Sequence, residues 1–284
     1  MRILLAGGAG AIGRELTPAL VAAGHEVWAT SRSAAKGSVI AGAGGHPLVM
    51  DVYDVASIDA AFEAARPDVL LHELTDLGEY DVAANSRIRI EGTSALLDAA
   101  AGHGVERVIA QSISWVVADG DSLAEETEPL RPGIAPGAPE LEQAVLAQPH
   151  GVVLRYGQFY GPGTWRSSQT PATPEALRLA LAPMAEVSSF VHVADAAAAT
   201  VLALGWPGGV VNVVDDEPAI AAEWMPVLAA ALGAPSPEVP ASLPHGRPIS
   251  NALARSRGFA PRFASWREGF VSPDGGVVRS ATAL

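Results

Sequence analysis

Four glycines near the N-terminus are the first residues whose spacing predicts chemistry. The stretch reads AGGAGAIG, and its glycines are Gly7, Gly8, Gly10 and Gly13. The first permits a tight turn, the middle two let the backbone approach a pyrophosphate, and the last lets a helix pack closely on a strand. Ala11 and Ile12 follow at the predicted start of that helix, where free N–H groups attract an anion. The stretch therefore predicts a phosphate-binding turn.

The segment after the second predicted strand indicates which dinucleotide this turn binds. An NAD site has an acidic residue about 20 residues beyond the glycines that holds the ribose 2′-hydroxyl, whereas an arginine suits a 2′-phosphate. The segment WATSRSAAK has no acid and offers Ser31, Arg32, Ser33 and Lys36. We therefore predict NADP(H), the alternative being that Arg32 and Lys36 are solvated surface cations. Further along the chain, Asp51 and its neighbour Val52 are placed to contact the adenine.

Alternating apolar runs and helical stretches must position these residues. Between the strands, apolar residues recur at helical spacing, as from Ile12 to Ala23 with Gly24 as the stop. This alternation predicts an α/β fold with a doubly wound parallel sheet, a Rossmann fold with a small C-terminal substrate-binding lobe. Short apolar runs place the predicted strands at residues 3–6, 26–30, 46–50, 68–72, 107–111 and 152–155.

The whole chain, residues 1–284, is expected to form one domain. Two Pro-rich stretches, 129–139 and 233–248, are predicted to be loops. The expected nucleotide-binding core comprises mainly residues 1–156 and 191–213, and the expected substrate lobe comprises mainly residues 157–190 and 214–284.

Composition limits the class of protein. With 284 residues, 49% of them hydrophobic, the chain can build a sizeable core. The formal net charge of −13 disfavours nucleic acid and anionic membranes as partners. No apolar run approaches the roughly 18 residues of a membrane span, so we expect a cytoplasmic protein. The absence of cysteine excludes disulfides and thiolate chemistry. The histidines show no metal-ligand spacing, so no metal is predicted.

Seven stretches, in order along the chain, resemble the motifs of the extended short-chain dehydrogenase/reductases, the epimerase and dehydratase group. They are AGGAGAIG, PDVLLHELT, IEGTSALLDAA, GVERVIAQSIS, VVLRYGQFYGPG, FVHVADAAAA and WREGF. The resemblance implies a Rossmann fold and a nicotinamide cofactor. Because ligands bind at the carboxyl ends of the strands in such sheets, further cofactor contacts are expected after the fourth, fifth and sixth predicted strands. These contacts are Leu74, Thr75, Gln111, Tyr156, Gln158 and Phe159.

The sequence departs from that family at the positions of the catalytic residues. The family uses a serine or threonine, a tyrosine as acid/base and a lysine four residues after it that lowers the tyrosine pKa. Here no tyrosine occurs between Tyr80 and Tyr156, and Lys36 is the single lysine. Aligned on the family's motifs, the chain has other residues at the tyrosine, lysine, serine and asparagine positions. They are Ile134, Ala138, Ile113 and Arg89, in that order.

Polar residues near the strand ends are candidates for a substitute acid. Ser112 and Ser114 flank Ile113, and Ser112 is either a hydrogen-bond donor to the substrate or the cap of a strand end. Tyr156 and Tyr160 flank the turn YGQFYG, and Tyr160 also matches a structural tyrosine of the motif. These hydroxyls are the candidate catalytic groups.

Three further polar residues stand in the same motifs. Glu73 replaces an apolar residue of the family's fourth strand end, so it is either exposed or functional. His72 beside it is expected to be structural. His192 is expected to be structural as well, because a helix begins there in the predicted pattern.

Large apolar side chains are available to line a substrate site, although residues of these types more often pack in the core. A flat aromatic ligand would suit such walls. The residues are Trp115, Trp165, Met184, Trp224 and Met225.

Two classes of function fit these observations. The first is an NADPH-dependent ketoreductase, in which the nicotinamide is held against a carbonyl carbon and a phenol of the substrate supplies the proton. Ketoreductases that act late on angucyclinone-type aromatic polyketides resemble this pattern, so the expected substrate is a small molecule of that kind. The second is a non-catalytic NADP-binding regulator of the same superfamily. A sugar-nucleotide epimerase or dehydratase is a further alternative, and the reaction direction and oligomeric state stay open.

Overall fold

A seven-stranded sheet forms the centre of the structure, a computed structural model that describes residues 1–76, 81–120, 122–131, 133, 135–167, 169, 171, 173–244 and 246–271. The strands in these ranges are β1 (Arg2–Ala6), β2 (Glu26–Ser31), β3 (His46–Val49), β4 (Val69–His72), β5 (Arg107–Ile113), β6 (His150–Tyr156), β7 (Gln158–Tyr160), β8 (Val187–Ser188), β9 (Phe190–His192), β10 (Gly209–Val213) and β11 (Ala219–Ile220).

Helices cover both faces of this sheet. Within the described ranges they are α1 (Ala11–Ala22), α2 (Gly37–Gly42), α3 (Val55–Ala65), α4 (Val82–Arg87), α5 (Thr93–Gly102), α6 (Ala138–Leu146), α7 (Pro174–Ala180), α8 (Val193–Ala203), α9 (Ala221–Ala231), α10 (Ala252–Ser256) and α11 (Trp266–Val271). A π-helical turn, Ile88–Gly92, joins α4 to α5. None of the described helices is long and apolar enough to cross a membrane.

The strand order confirms the predicted doubly wound parallel sheet. Across the sheet the order is β10, β6, β5, β4, β1, β2 and β3, and every neighbouring pair is parallel. The chain moves outward from β1 to β3, returns to β4 and then moves outward in the other direction. Ligands bind at such a switch point, here between β1 and β4. The six predicted strands are all present, and no strand end differs from its predicted position by more than two residues.

Two apolar cores explain why the strands are continuous apolar runs. Ile3 and Leu5 of β1 pack on one face with residues of α1 and α8. Leu4 and Ala6 pack on the other face with residues of α3, α5 and α6. Because successive side chains of a strand point to opposite faces, a strand that is covered on both sides must be apolar throughout.

A third apolar cluster lies in the C-terminal part of the described chain and decides between the two roles considered for Trp224 and Met225. Both residues are buried in it, so they pack in the core and do not line a substrate site. The Trp224 ring packs edge-on against Phe190 with the ring centroids 5.5 Å apart. The two residues face inward because α9 presents its apolar side to this cluster, so they belong to the core.

The two predicted Pro-rich loops lie largely outside regular structure. In the described part of 129–139, α6 begins at Ala138, with a proline in its first turn, where a missing N–H does no harm. The described residues of 233–248 contain no helix or strand.

Candidate active site

The glycine turn between β1 and α1 leaves no room for side chains. Gly7 has a φ of +100°, a backbone conformation that favours glycine. A Cβ on Gly8 would lie 2.5 Å from the Cβ of Ala29, and one on Gly13 would lie 2.4 Å from the carbonyl oxygen of Gly7. Gly10 precedes α1 without a side-chain cap, so the first N–H groups of the helix remain available to an anion. The turn therefore fits the pyrophosphate of a dinucleotide.

An open groove begins at this turn and follows the carboxyl ends of the central strands. The residues that line it come from the ends of β1 to β4 and from the π-helical turn. They are Gly7, Ala9, Gly10, Thr30, Ser31, Arg32, Lys36, Met50, Val52, Tyr53, Glu73, Leu74, Thr75 and Ile88. The groove thus brings together eight of the predicted cofactor residues: Gly7, Gly10, Ser31, Arg32, Lys36, Val52, Leu74 and Thr75.

Two cations stand on the rim of the groove beyond β2. Arg32 and Lys36 both line it, and both are exposed. Nη2 of Arg32 lies 3.7 Å from Oδ2 of Asp76, an ion pair whose arginine side chain is 60% exposed. Such an exposed pair is weak, so it leaves the guanidinium available to a stronger anion such as a phosphate.

Two predicted adenosine contacts lie outside the groove wall. The backbone N–H of Ser33 donates to Oγ of Ser31 at 3.2 Å. Oδ1 of Asp51 accepts from the backbone N–H of Tyr53 at 3.0 Å. Both residues therefore shape the loops that carry groove residues.

The position of the family's serine, tyrosine and lysine is filled by apolar and paired groups. Ile113, which ends β5, and Ala138, which begins α6, are both buried. Ile134 lies outside the described residues. Oγ of Ser112 donates to Oε1 of Glu142 at 2.6 Å. The Ser112 hydroxyl is therefore already bonded to a carboxylate, which makes it a poor proton donor to a substrate.

Glu142 belongs to a buried ion pair that ties α6 to β6. Nε and Nη2 of Arg155 bond to its two carboxyl oxygens at 2.9 and 2.7 Å, with 5% of each side chain exposed. This bidentate geometry satisfies both charges. The neighbouring hydroxyl of Ser114 is buried and has no hydrogen-bond partner among the described residues.

Arg89 is a largely buried cation that makes no hydrogen bond to another described residue. It is 7% exposed, and within the described chain no acceptor bonds to its guanidinium. It follows Ile88, which lines the groove, and a Cβ on Gly137 would lie 2.9 Å from its Cβ. Burial lowers the pKa of Arg89, and Glu142 opposes that effect. The departure from the family's asparagine was visible in the sequence, but the lack of a partner emerges from the structure.

Glu73 and Tyr156, whose roles the sequence left open, contact each other inside the fold. Glu73 is 4% exposed, which settles that it is not a surface residue. The Tyr156 hydroxyl lies 3.4 Å from its Oε1 and 2.6 Å from Oγ1 of Thr200. Burial raises the pKa of Glu73 to about 8. Burial, and then the charge of Glu73, raise the pKa of Tyr156 well above its ordinary value, so Tyr156 is a weak acid.

The other residues of the YGQFYG turn lie away from the described groove. Nε2 of Gln158 donates to Oγ of Ser188 at 3.0 Å. The Phe159 ring packs against Tyr156, with centroids 5.3 Å apart, and Tyr160 is buried in the third cluster. Gln111, on β5, is partly buried and does not line the groove either. Their predicted cofactor contacts therefore stay predictions.

The two histidines of the motifs are structural, as predicted. Nε2 of His72 lies 2.9 Å from Oγ1 of Thr93, and Nδ1 of His192 accepts from the N–H of Ala194 at the start of α8. Burial lowers the pKa of each to about 4, so both stay neutral. Among the described residues no three potential ligands come together as a metal site.

Three of the five large apolar residues that were considered for a substrate site are partly exposed. Trp115, Trp165 and Met184 are partly buried, in contrast to the fully covered tryptophan of α9. None of them lines the described groove, and Trp115 packs against the cluster of Ile113, Val116 and Ala138, so their contact with a substrate stays a prediction.

Comparison with known proteins identifies the family to which this chain belongs. A sequence profile described as the NAD dependent epimerase/dehydratase family matches residues 3–213. The chain belongs to this family, in agreement with the resemblance that its motifs carry.

Two curated relatives are reductases. A Streptomyces protein named 3-diazoavenalumate denitrifying reductase is 38% identical over 304 residues, which cover 95% of this chain and 99% of that protein. A Stigmatella aurantiaca protein named 4-hydroxy-2-methyl-3-oxo-4-farnesyl-3,4-dihydroquinoline-1-oxide ketoreductase is 33% identical over 167 residues, 57% of this chain and 47% of that protein. These names support an oxidoreductase that acts on a small molecule.

Solved structures of the family share the whole fold. The UDP-glucose 4-epimerase of Thermus thermophilus in complex with NAD has a TM-score of 0.78 at 25% identity, over 95% of this chain and 97% of that chain. The Bordetella bronchiseptica enzyme WbmG in complex with NAD and UDP has a TM-score of 0.75 at 20% identity, over 96% and 93%. A nicotinamide dinucleotide is therefore the cofactor class that the comparisons support.

Proposed function

We propose that this protein is an NADPH-dependent reductase that transfers hydride to an acidic aromatic small molecule without a proton-donating side chain. One observation carries the proposal. A well-formed nucleotide groove adjoins a centre that lacks the family's tyrosine and lysine and in which Ser112 is bonded to Glu142. An acceptor that needs no protein acid fits this centre.

A diazo-bearing aromatic acid is the acceptor that best meets this requirement. Bound NADPH supplies a hydride that replaces dinitrogen on an aryl diazonium carbon: the C–N bond breaks, N2 leaves with its electron pair, and a C–H bond forms. No oxygen becomes negatively charged, so the step has no use for a tyrosine. The Streptomyces relative, which matches over nearly its whole length, is named for the reduction of a diazo compound.

Arg89 supports an acidic acceptor. Its side chain is largely buried and has no hydrogen-bond partner among the described residues, and its fork of N–H donors matches a carboxylate. The nearby Glu142 acts on Arg89 through its charge alone, because its carboxyl oxygens bond Arg155 and Ser112. We infer that the carboxylate of the substrate completes this site, with Arg89 orienting the aromatic ring toward the groove.

A ketone on a flat aromatic polyketide is the second candidate. The Stigmatella relative is named as a ketoreductase, and a phenol beside the ketone would supply the proton that no side chain of the centre offers. Sugar-nucleotide epimerisation fits less well because it needs a base on a hydroxyl, the role of the missing tyrosine. A non-catalytic regulator would bind the nucleotide and turn over nothing.

A substrate screen tests the proposal. The purified protein would be incubated with NADPH and two panels, phenolic acids that carry a diazo group and hydroxylated polycyclic ketones, with enzyme-free reactions to correct for spontaneous loss of nitrogen. Consumption of NADPH with the diazo acids supports the proposal, and consumption with the ketones alone supports the second candidate. Nucleotide binding without turnover on either panel would favour the regulator.

NADPH is expected to bind at least about tenfold more tightly than NADH, which corresponds to about 1.4 kcal/mol. The reason is the pair of cations, Arg32 and Lys36, on the groove rim. Fluorescence titration of both nucleotides measures the preference, and Arg32→Ala should reduce it. Arg178→Ala, which removes an exposed arginine of α7, is the matched control. Equal affinities in the wild type, or a preference untouched by Arg32→Ala, would exclude a phosphate pocket here.

Single removal of the candidate hydroxyls is expected to leave the turnover number within about tenfold. A general acid contributes roughly 10²–10⁴-fold to a rate, whereas the hydroxyls of Ser112 and Tyr156 contact Glu142 and Thr200 and that of Ser114 is buried. The variants are Ser112→Ala, Ser114→Ala and Tyr156→Phe, measured at saturating NADPH. A loss of about 10³-fold in one of them, with nucleotide affinity intact, would identify a protein acid and contradict this part of the proposal.

A further inference from the structure

Glu73 is an acid in the wall of the nucleotide groove with no cation bonded to it among the described residues. A Cβ on Gly7 of the phosphate-binding turn would lie 2.8 Å from the backbone carbonyl oxygen of Glu73, so the backbones of the two residues are in close contact. One carboxyl oxygen, Oε2, is buried without a hydrogen-bond partner within the described chain. A dinucleotide bound at this turn brings the negative charge of its pyrophosphate to the same wall.

The contacts of the Glu73 carboxyl group do little to stabilise its ionised form. The Tyr156 hydroxyl lies 3.4 Å from Oε1, which is long for a hydrogen bond between two oxygens. The same hydroxyl makes a much shorter contact, 2.6 Å, with Oγ1 of Thr200. The other carboxyl oxygen, Oε2, has no hydrogen-bond partner within the described chain. A neutral carboxylic acid is therefore the form that this buried position favours.

We propose that Glu73 is a neutral acid when the nucleotide is bound and that its ionisation weakens nucleotide binding, so that binding is linked to a proton. An ionised carboxylate at this place would be buried without a counter-charge and would repel the pyrophosphate. The inference rests on the nucleotide-binding part of the proposed function and is independent of the acceptor.

The other groups that face Glu73 from the surrounding elements do not account for a proton-linked change in binding, so Glu73 is the residue that titrates. Tyr156 of β6 is the titratable group in contact with it, and its pKa lies well above the ordinary value. Helix α8 contributes Thr200, which does not titrate. The glycine turn has no titratable side chain, and Arg14 of α1 is exposed and turns its Nε to the carbonyl of Ala9. The adjacent His72 bonds instead to Thr93, on α5.

Nucleotide affinity is expected to fall about tenfold between pH 7 and pH 9, because burial raises the pKa of Glu73 to about 8 and the ionised form binds poorly. Fluorescence titrations of NADPH and NADH across this range measure the effect. NADH lacks the 2′-phosphate, so a fall shared by both nucleotides does not come from that phosphate or from Lys36. Calorimetry at pH 8 in buffers of different ionisation heat should show uptake of about half a proton per nucleotide.

Glu73→Gln keeps the shape and polarity of the side chain but cannot ionise. Its affinity should change less than about twofold across the same pH range, with no proton uptake. Glu63→Gln, at an exposed position of α3, should keep the wild-type profile. A wild-type affinity that is flat across this range, or no proton uptake at pH 8, would overturn the inference. The pH profile and the proton uptake are both measured on the wild-type protein, so they test the inference even if Glu73→Gln does not fold. If nucleotide binding is proton-linked but the protein turns over no substrate, the inference about Glu73 holds and only the proposed acceptor is contradicted.

Discussion

Replacing Gly13 by alanine is expected to weaken NADPH binding by more than about a hundredfold, roughly 2.7 kcal/mol. The added Cβ would lie 2.4 Å from the carbonyl oxygen of Gly7 and 2.6 Å from the carbonyl carbon of Gly8. Both neighbours are backbone atoms, so relief requires the turn and the start of α1 to move apart. That movement displaces the N–H groups that bind the pyrophosphate.

Titration by nucleotide fluorescence measures this loss. Gly42→Ala is the matched control, because Gly42 lies in α2, has an ordinary φ and would place its Cβ in open space. The control should bind like the wild type. A folded Gly13→Ala protein with unchanged affinity would mean that the groove does not hold the pyrophosphate at this turn.

Replacing Arg89 by leucine is expected to lower kcat/KM for the acidic acceptor by about a hundredfold or more. Truncating one partner of a buried hydrogen-bonded charge pair costs about 2–5 kcal/mol, and here the pair forms only with the substrate. The loss should appear mainly in KM, because Arg89 binds the carboxylate and not the reacting carbon. NADPH affinity should not change.

A neutral ester of the same acceptor separates recognition from a structural role. Arg89→Leu should reduce the ester far less than the free acid, and Arg89→Lys should recover part of the loss. Thermal stability should be equal or higher in Arg89→Leu, since a largely buried cation with no hydrogen-bond partner among the described residues is removed. Arg87→Leu, which removes an exposed arginine of α4 paired with Glu91, is the control. Equal losses for acid and ester would contradict the carboxylate site.

The sheet and the phosphate-binding turn were predictable from the sequence because local rules decide them. A run such as residues 3–6 is apolar at every position, as a strand that is covered on both faces requires, and it is too short for a helix. The glycines are required by backbone geometry, which acts over a few residues. Gly8 and Gly13 could therefore be assigned their roles before any contact was known.

Roles that depend on distant partners were not predictable in the same way. Ser112 meets Glu142 across thirty positions of sequence, and the serine alone does not show whether its hydroxyl is free. Glu73 was either exposed or functional until the packing of β6 and α8 around it was known. Trp224 and Met225 stood on an amphipathic helix, but periodicity does not show what covers the apolar side.

The position of the transferred hydride in the product tests most directly the claim that hydride from NADPH replaces dinitrogen on the aromatic ring. A diazo-bearing phenolic acid would be reduced in ordinary water with NADPH deuterated at the hydride-donating carbon of the nicotinamide, and product and gas would be analysed by mass spectrometry. The proposal predicts one deuterium at the carbon that lost nitrogen and one N2 released for each NADPH consumed. A product whose new hydrogen comes from water, or loss of nitrogen without consumption of NADPH, would contradict it.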